Sequence, residues 1–439
     1  MLLEFRAQNF KSLRTSQTLN LVANERDRDS LVHNTLPVSA PGMEEMRALK
    51  AAVVYGANAS GKSNLIHALN FLRNFVLTSA RLLSPKQPTG TIPFNMGKGA
   101  HFQPTELEVD FVHLETRYRF KVALTPERVT EEVLDVYPDG RKQMWYRRFW
   151  DKTAGKYQYE PSQSSIFKRD VKQEEFTRPN ALFLSTAVQL NNAQLQPVVD
   201  WFRDQLRLNV AEQNLHLGLG SRFATTSRCI QSGGSLAERV KSILKHADFG
   251  ITETRVWTEQ VEVESDDEDG QTRISIVDRT RVAFRHIGPD GREFELPLEE
   301  ESTGTRKFFN LAGPWLQALE QGVTLCLDEF DTYLHPFLTQ ALLELLFKPE
   351  HNPKGAQIIF TTHNPLLLDP TLLRRDQIWF VDKDREGGSF VYPLTEYKPR
   401  KEESLLRGYL SGRYGALPFI PNGLIGDDAE KTRGVVHGD

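Results

Sequence analysis

Cysteine is scarce in this chain, with only Cys229 and Cys326 among its 439 residues. Two thiols cannot make a disulfide framework or a four-cysteine zinc site, so we expect a reducing, cytoplasmic setting. Long hydrophobic runs are also missing, because no segment approaches the roughly 20 apolar residues of a membrane-spanning helix. Residues 1–6 show no signal-peptide pattern, so we expect neither secretion nor membrane insertion.

A strong excess of one charge is absent as well, since the formal net charge at pH 7 is only −4. This balance argues against a protein whose whole surface coats DNA, although it leaves a local basic groove open. The sequence shows no internal repeat and no heptad run long enough for a coiled-coil arm. Its length allows two or three domains, or one domain with a large insertion.

What the chain does contain is the octapeptide Gly-Ala-Asn-Ala-Ser-Gly-Lys-Ser at residues 56–63, which fits the phosphate-binding P-loop pattern. An apolar run of strand type precedes it, and residues 64–72 are apolar at helical spacing. Glycines let backbone N–H groups approach phosphate oxygens, so ATP and Mg²⁺ are the expected ligands. Lys62 would reach the β- and γ-phosphates, and the Ser63 hydroxyl would hold Mg²⁺. The predicted nucleotide contacts here are Gly56, Asn58, Ala59, Ser60, Gly61, Lys62, Ser63 and Asn64.

Two later strand-like runs end in residues suited to the same chemistry. Residues 323–327 are apolar and are followed by Asp328, placed to hold Mg²⁺, and Glu329, placed to polarise the attacking water. Residues 358–362 form another buried-type run, and His363 follows it. Ligands bind at the carboxyl edge of open α/β sheets, where His363 would contact the γ-phosphate or the water. Glu329 and His363 are therefore the predicted catalytic residues.

A Ser-Thr-Gly turn at residues 302–304 opens an amphipathic helix that leads to the acidic strand. The Ser302 hydroxyl and the first amides of that helix form a candidate anion site. Ordinary helix capping without a ligand is the alternative interpretation of the same pattern.

This series of motifs resembles the ABC-type ATPase head, in the branch shared by SMC proteins, their DNA-repair relatives and OLD-type nucleases. The resemblance implies that Ser302 and Gly304 form the signature motif, which caps the ATP bound by another subunit. It also implies that Asp331 occupies the D-loop position and that His363 is the switch histidine.

The same resemblance extends to the N-terminus, where residues 9–12, Asn-Phe-Lys-Ser, are similar to the opening of SMC-like heads. There the first hairpin approaches the nucleotide, which adds Lys11 to the implied nucleotide contacts. The family's Q-loop glutamine has no obvious counterpart, and residues 93–95 lie at about the right place without one.

A narrower resemblance covers nearly the whole chain. It links the sequence to compact bacterial ATP-binding proteins of abortive-infection and antiphage systems, such as the ATPase subunits of PARIS and of RloA/AbiL-type systems. It implies a partner effector, commonly a nuclease and often of TOPRIM type. The segments that carry it are residues 93–94, 105–109, 183–185, 328–336 and 412–418.

The predicted fold is α/β: an ABC-type P-loop ATPase head, with a mixed sheet, helices and an antiparallel β subdomain, interrupted by an inserted helical lobe. Residues 176–247 are predicted to be helical, and Ser235 with Glu238 matches a capping box. The predicted segments are 1–160 and 251–398 for the two halves of the head, 161–250 for the lobe, and 399–439 for a C-terminal tail.

Three segments of the sequence each allow two interpretations. The acidic residues 264–270 are interpreted as a solvated hairpin tip rather than a metal site. Basic residues at 141–142 and 147–148, interleaved with aromatics, are either exposed strand positions or a nucleic-acid contact. The tail residues Arg407, Tyr409, Arg413 and Tyr414 either dock on the body of the protein or contact a partner or nucleic acid.

The favoured function is an ATPase sensor or scaffold that assembles as a homo-oligomer through ATP-sandwiched heads and controls a separate effector in antiphage defence. Nucleic acid or a phage protein is the candidate trigger. The alternatives are an SMC-like repair or loading ATPase acting on DNA, a self-contained nuclease, and a transporter ATPase. The self-contained nuclease is disfavoured because the stretch after His363 is short and lacks a clear acidic cluster.

Overall fold

The structure is a computed structural model. It describes residues 1–82, 84–96, 103–164, 166–168, 170–209, 225–247, 249–266, 272–400 and 403–418.

Within these residues the chain forms eighteen strands and nine α-helices. The strands are β1 (Leu2–Gln8), β2 (Gln17–Asn20), β3 (Thr35–Pro37), β4 (Arg47–Leu49), β5 (Ala51–Gly56), β6 (Thr105–His113), β7 (Thr116–Leu124), β8 (Val129–Tyr137), β9 (Gln143–Asp151), β10 (Lys156–Glu160), β11 (Leu206–Asn209), β12 (Ile251–Asp266), β13 (Thr272–Ile287), β14 (Glu293–Pro297), β15 (Thr324–Leu327), β16 (Gln357–Thr361), β17 (Ile378–Lys383) and β18 (Ser389–Pro393). The helices are α1 (Lys62–Leu82), α2 (Val171–Glu175), α3 (Phe183–Gln189), α4 (Gln196–Asp200), α5 (Thr226–Gln231), α6 (Gly234–His246), α7 (Thr303–Gln321), α8 (Pro336–Phe347) and α9 (Leu405–Leu410).

A six-stranded sheet in the order β11-β15-β16-β5-β17-β18 carries the predicted nucleotide motifs. Its neighbouring strands run parallel except for β18, which is antiparallel to β17. Every residue of β5, β15 and β16 is buried, as expected for parallel strands covered on both faces. Because parallel strands end at one edge, the segments after β5, β15 and β16 meet there.

A second, antiparallel sheet has the order β10-β9-β8-β7-β6-β1-β2. Its strands alternate between buried and partly exposed residues, so one face packs on the protein and the other faces solvent. The remaining strands form the pair β3-β4 and a three-stranded sheet, β12-β13-β14, built on a hairpin of two 16-residue strands. The mixed α/β fold with an antiparallel β subdomain is confirmed.

Alternate residues of β5 point into two different hydrophobic cores. Ala52 and Val54 join α1 and the antiparallel sheet in one core, while Ala51, Val53 and Tyr55 join α7, α8 and α9 in the other. The strand that leads into residues 56–63 is thus packed from both sides. This packing gives the loop a rigid origin at the sheet edge.

The helical prediction for residues 176–247 is wrong at Leu206–Asn209. These four residues form β11, which pairs in parallel with β15 from Leu206 opposite Thr324 to Asn209 opposite Leu327. Sheet pairing between distant segments overrides local helical preference here, and a single-segment pattern cannot reveal it.

The capping-box prediction at Ser235 and Glu238 is also wrong. Helix α6 begins at Gly234, so Ser235 lies inside the helix rather than at its N-cap, and none of the described side chains caps it. Gly233 and Gly234 have φ values of +68° and +77°, so two left-handed glycines turn the chain into the helix before Ser235 can serve as the cap.

Several residues of the candidate binding surfaces have structural roles instead. Arg148 is fully buried rather than exposed, and its guanidinium donates to the carbonyls of Ala181 and Arg178. Docking of the tail is confirmed for Tyr409 and Tyr414, which are buried in the core that contains β5.

Of the predicted acidic hairpin tip at residues 264–270, residues 267–270 lie outside the described residues. Within the described part of the chain, no helix is both long enough and apolar enough to cross a bilayer.

Candidate nucleotide-binding site

The loop between β5 and α1 closes on the side chain of Lys62, which is buried. Its ammonium group donates hydrogen bonds to the carbonyls of Gly56, at 2.8 Å, and Ala57, at 3.0 Å. Burial lowers the pKa of Lys62, while the nearby carboxylates of Glu329 and Asp328 act to raise it. The P-loop lysine and the two acids predicted from distant strands therefore lie in one site.

The tip of this loop has the backbone geometry of an anion cradle. Ala59 has φ +61° and Gly61 has φ +106°, both in the left-handed region. Asn58 and Ala59 are exposed at the tip, whereas Ser60 is buried. The Ser60 hydroxyl has no hydrogen-bond partner among the described residues, so a buried polar atom of the loop remains for a ligand to satisfy.

Two serines from other parts of the chain, Ser12 and Ser389, support the loop through hydrogen bonds. The Ser389 hydroxyl, in β18, donates to the carbonyl of Ser60, and its oxygen lies 2.7 Å from the hydroxyl oxygen of Ser12. Asn64 donates to the same Ser12 hydroxyl at 2.6 Å. Asn64 is therefore placed to position the loop, and this contact adds Ser12 and Ser389 to the site.

Replacing Gly61 with alanine is expected to weaken ATP binding by at least about tenfold. The added Cβ would overlap the Ser389 hydroxyl and lie 2.6 Å from that of Ser12. Left-handed backbone strain of roughly 1–2 kcal/mol would add to the clash. Titration with a fluorescent ATP analogue measures the effect. Gly155→Ala is the matched control, because φ is +62° there and nothing lies within 4 Å of the new atom. Unaltered ATP affinity in Gly61→Ala would contradict a role for the Ser12 and Ser389 contacts in shaping the loop.

The carboxylate of Asp328 lies beside the first turn of α1. Its Oδ1 accepts hydrogen bonds from the hydroxyls of Ser63, at 3.1 Å, and Thr361, at 2.6 Å. The Thr361 hydroxyl in turn accepts from the backbone amide of Glu329 at 2.8 Å. Residues at the ends of β5, β15 and β16 are thus tied into one hydrogen-bonded group at the sheet edge.

Glu329 adopts φ +46°, an uncommon conformation for a residue with a side chain. Its carboxylate is half-exposed and lies 3.9 Å from Nε2 of His363, which is also half-exposed. Burial, followed by the charge of Lys62, lowers the pKa of His363, which favours the neutral form of its imidazole. The two predicted catalytic residues lie together with open access from solvent.

His67 lies one turn beyond Ser63 on α1. The side chain of Lys11 contacts it, with Nζ 2.9 Å from Nδ1 of His67. The backbone amide of Lys11 donates to the carbonyl of Ile92 at 2.7 Å, and the φ of Lys11 is +48°. Burial lowers the pKa of both Lys11 and His67, and Asp328 acts to raise that of His67. The implied nucleotide contact Lys11 is therefore beside the site but paired with His67.

The signature segment lies on the other side of the acidic pair. Ser302 is the N-cap of α7, and its hydroxyl accepts from the Thr305 amide at 3.1 Å. A Cβ at Gly304 would lie 3.0 Å from the carbonyl of Tyr333, so the helix start packs closely on the turn after β15. Both Ser302 and Thr303 are exposed. Ser302 therefore caps the helix, and the exposed face of the same turn stays accessible.

Asp331, which the ABC resemblance places at the D-loop position, contacts the segment that leads into His363. Asp331 Oδ2 accepts a hydrogen bond of 2.6 Å from the hydroxyl of Thr362, the residue before His363. Burial raises the pKa of Asp331, and the Thr362 bond acts to lower it. This contact couples the turn after β15 to the end of β16.

The described contacts gather Lys62, Ser63, Asp328, Glu329 and His363 into one site, and place Ser302 and Gly304 at its flank. Sequence reasoning missed several supporting residues: Thr361, His67, Ser12 and Ser389. Thr361 closes an apolar strand, and His67 follows Ser63 by four residues, which puts both on one helix face. Thr361 and His67 could therefore have been found from the sequence, whereas no sequence pattern indicates the contact between Ser12 and Ser389.

The donor set fits a Mg²⁺–nucleotide complex. Ser63 and Asp328 present hard oxygen ligands 3.1 Å apart, and Mg²⁺ is usually held by one or two such groups together with substrate phosphates. The orphaned hydroxyl of buried Ser60 lies in the loop that would surround those phosphates. The described residues contain no cluster of three or more His, Cys, Asp or Glu side chains able to hold a metal without such a substrate.

Among the solved structures similar to this chain are two SMC heads. One is the SMC head domain from Thermotoga maritima, with 15% sequence identity, coverage of 89% of this chain and 98% of that chain, and a TM-score of 0.39. The other is the Smc head domain with an extended coiled coil bound to the C-terminal domain of ScpA, from Pyrococcus furiosus, with 12% identity, coverage of 90% and 97%, and a TM-score of 0.37. Among curated proteins no match is found.

Comparison with protein families gives a match over residues 51–369, from β5 through the predicted switch histidine. The match includes the P-loop, Asp328, Glu329 and His363, and it spans well over half of the chain. The protein therefore belongs to the P-loop ATPase family described as "AAA domain, putative AbiEii toxin, Type IV TA system".

Proposed function

We propose that this protein hydrolyses ATP as an ABC-type ATPase that pairs head to tail with a second copy, and that pairing controls a partner effector in bacterial antiphage defence. One observation carries the proposal. Lys62, Ser63 and Asp328 converge on a single site, while Ser302, which the ABC resemblance assigns to the same chemistry, lies exposed at the start of α7. A site of this kind is completed by a second molecule.

The chain's own residues supply most of what phosphoryl transfer to water needs, which is positioning and charge neutralisation. Lys62 would exchange its two carbonyl partners for phosphate oxygens, and Ser63 with Asp328 would hold Mg²⁺. Bound Mg²⁺ would neutralise phosphate charge. Glu329 would accept the proton of the attacking water, and the neutral imidazole of His363 would orient that water.

Positive potential on the far side of the γ-phosphate is the element that the described residues of one chain do not place at its own P-loop. The exposed start of α7, with its N-terminal amides, offers it to a second copy, since a helix N-terminus favours anions. ATP would then favour the paired state by binding it more tightly than the separate chains. A homodimer, or a larger assembly of such pairs, is the expected active form.

The effector part of the proposal is supported by the family description, which names an AbiEii toxin and a type IV toxin–antitoxin system. Together with the resemblance to PARIS and RloA/AbiL ATPases, it favours a separate effector, such as a TOPRIM-type nuclease, in the cytoplasm. In this arrangement residues 1–160 and 251–398 form the head, 161–250 the lobe, which adds β11 to the head's sheet, and 399–439 the C-terminal tail, whose Tyr409 and Tyr414 dock on the head. Co-purification with the product of the neighbouring gene, with and without ATP, tests this part.

Direct action on DNA is less well supported by the surface charges. Lys142 is paired with Asp135 at 2.8 Å, and Arg147 is paired with Glu131 at 2.6 Å and with Glu160 at 2.7 Å. The basic strand that suggested a nucleic-acid contact is thus neutralised by its neighbours. A ladder of this kind is typical of a solvated sheet face.

Replacing Ser302 with arginine, in a Glu329→Gln background that slows hydrolysis, tests the pairing. We expect ATP-dependent dimerisation to weaken by at least about tenfold, because a bulky cation would disturb the turn that meets the second molecule's ATP. ATP binding by the single chain should stay within about threefold of the parent. Analytical ultracentrifugation and ATP titration measure the two quantities.

The matched comparison for that test is Lys62→Ala, which should abolish both single-chain ATP binding and pairing. If Ser302→Arg instead lost single-chain ATP binding as Lys62→Ala does, Ser302 would belong to the same chain's site. Undiminished pairing in Ser302→Arg would rule out the composite site.

A further inference from the structure

The hairpin of β12 and β13 is joined directly to the residue that precedes Ser302. Nε2 of His286, near the end of β13, lies 2.6 Å from Oε1 of Glu301. Both side chains are largely removed from solvent, with 12% of His286 and 7% of Glu301 exposed. The His286 ring also stacks on Phe294 of β14 at a centroid distance of 5.5 Å. The last residue before the signature turn is therefore anchored to a packed strand.

A second contact makes the same strand part of the support of α7. Phe284, two residues before His286 and on the same face of β13, is fully buried and packs edge-on against Phe309 at 5.5 Å. Phe249 makes an equivalent contact with Phe308 at 5.4 Å. The base of the hairpin and the helix capped by Ser302 thus form one packed unit.

The orientation of Glu301 also matters for charge. Residues 299–301 are three consecutive glutamates immediately before the turn expected to meet a phosphate, and Glu299 and Glu300 are exposed. A carboxylate a few ångströms from that phosphate would repel it, by an amount that grows as the interface excludes water. The contact with His286 turns Glu301 inward, away from the exposed face of Ser302.

We propose that Glu301 and His286 are positioning residues for the ATP bound by a second copy of the chain. His286 holds the Glu301 carboxylate, which fixes the exposed Ser302–Thr303–Gly304 turn and keeps one negative charge out of the interface. The inference rests on the proposed function and deepens it, because it identifies what holds the signature turn in its pairing orientation. Among the described contacts, neither residue touches Lys62, Ser63 or Asp328 of its own chain.

Two substitutions at His286 separate the hydrogen bond from the packing, both made in the Glu329→Gln background. His286→Phe keeps a ring to stack on Phe294 and removes the donor, whereas His286→Gln keeps an N–H near the position of Nε2. We expect about tenfold weaker ATP-dependent pairing in His286→Phe and a loss within about threefold in His286→Gln. Single-chain ATP affinity should not change in either variant, which a general loss of structure would not allow.

Arg285→Gln is the matched control, because the side chain of this neighbour, on the opposite face of β13, forms surface ion pairs with Glu253 and two glutamates of β14. Its pairing should equal that of the parent. If His286→Phe fails to fold, as judged by thermal unfolding, Glu301→Ala removes the acceptor and carries the same expectation.

The outcomes distinguish this inference from the function on which it rests. Parent-like pairing in His286→Phe or Glu301→Ala, with the Glu329→Gln parent pairing normally, would overturn the inference alone. A greater loss in His286→Gln than in His286→Phe would assign the effect to ring packing and would also overturn it. A Glu329→Gln parent that fails to pair in ATP would overturn the proposed function and the inference together.

Discussion

Glu329→Gln is expected to lower the turnover of ATP by about 10²–10⁴-fold, the usual contribution of a positioned general base. The amide is nearly isosteric but cannot accept the proton of the attacking water. ATP affinity should be retained, because Lys62, Ser63 and Asp328 keep their places. The ATP-bound pair should therefore accumulate, and steady-state phosphate release together with sedimentation in ATP measures both effects.

A charge-matched control for this prediction is Glu344→Gln on α8. Glu344 is exposed and its nearest cation, Lys348, is 4.0 Å away, so turnover should be unaffected. Hydrolysis at the parental rate in Glu329→Gln would remove Glu329 from the catalytic role. A slow variant that does not accumulate as a pair would keep that role but contradict the link between ATP and assembly.

Glu132→Ala is expected to destabilise the protein by about 3–5 kcal/mol, the usual effect of removing one member of a buried ion pair. Glu132 and Arg148 are opposite each other on β8 and β9, both are 0% exposed, and their charged groups are 3.7 Å apart. The carboxylate also accepts hydrogen bonds from the amides of Phe183 and Leu184 at the start of α3 and from the Tyr146 hydroxyl. The midpoint of urea unfolding measures the loss.

The pKa of Glu132 shows the balance at this position. Burial raises the pKa, whereas Arg148 and the three hydrogen bonds act to lower it. Alanine would remove the acceptor and leave the Arg148 charge buried without its partner.

The neighbouring residue gives a sharp control for this effect. Glu131 lies on the opposite face of β8, where it pairs with Arg147 and Lys121 at the surface. Glu131→Ala should cost no more than about 1 kcal/mol, as exposed ion pairs usually do. Equal destabilisation by the two substitutions would show that the buried pair has no special role. ATP affinity at temperatures where both variants are folded should be unchanged.

The nucleotide motifs could be predicted because each one is local. The P-loop, the Asp328–Glu329 pair and His363 each follow an apolar run that forms a buried strand, and the carboxyl ends of parallel strands must share an edge. That rule alone brings residues separated by hundreds of positions into one site. The contact between Ser63 and Asp328 is the result.

The errors occurred where distant contacts decide local structure. Leu206–Asn209 became a strand because β15 offers unpaired backbone groups beside it. Arg148 lies on a strand that reads as basic and exposed, yet Glu132 and two carbonyls draw it into the interior. No pattern within either segment encodes those partners.

By itself, then, the sequence indicated the chemistry expected of this protein: a P-loop, an acid placed to hold Mg²⁺, a carboxylate placed to activate water and a turn that resembles the signature motif. These follow from residue type and short-range spacing, which depend only on neighbours along the chain. The tertiary structure alone decided what holds them: Ser12 and Ser389 behind the loop, Thr361 beside Asp328, and His286 on Glu301. Such contacts join segments far apart in the chain, and they exist only once the sheets have packed.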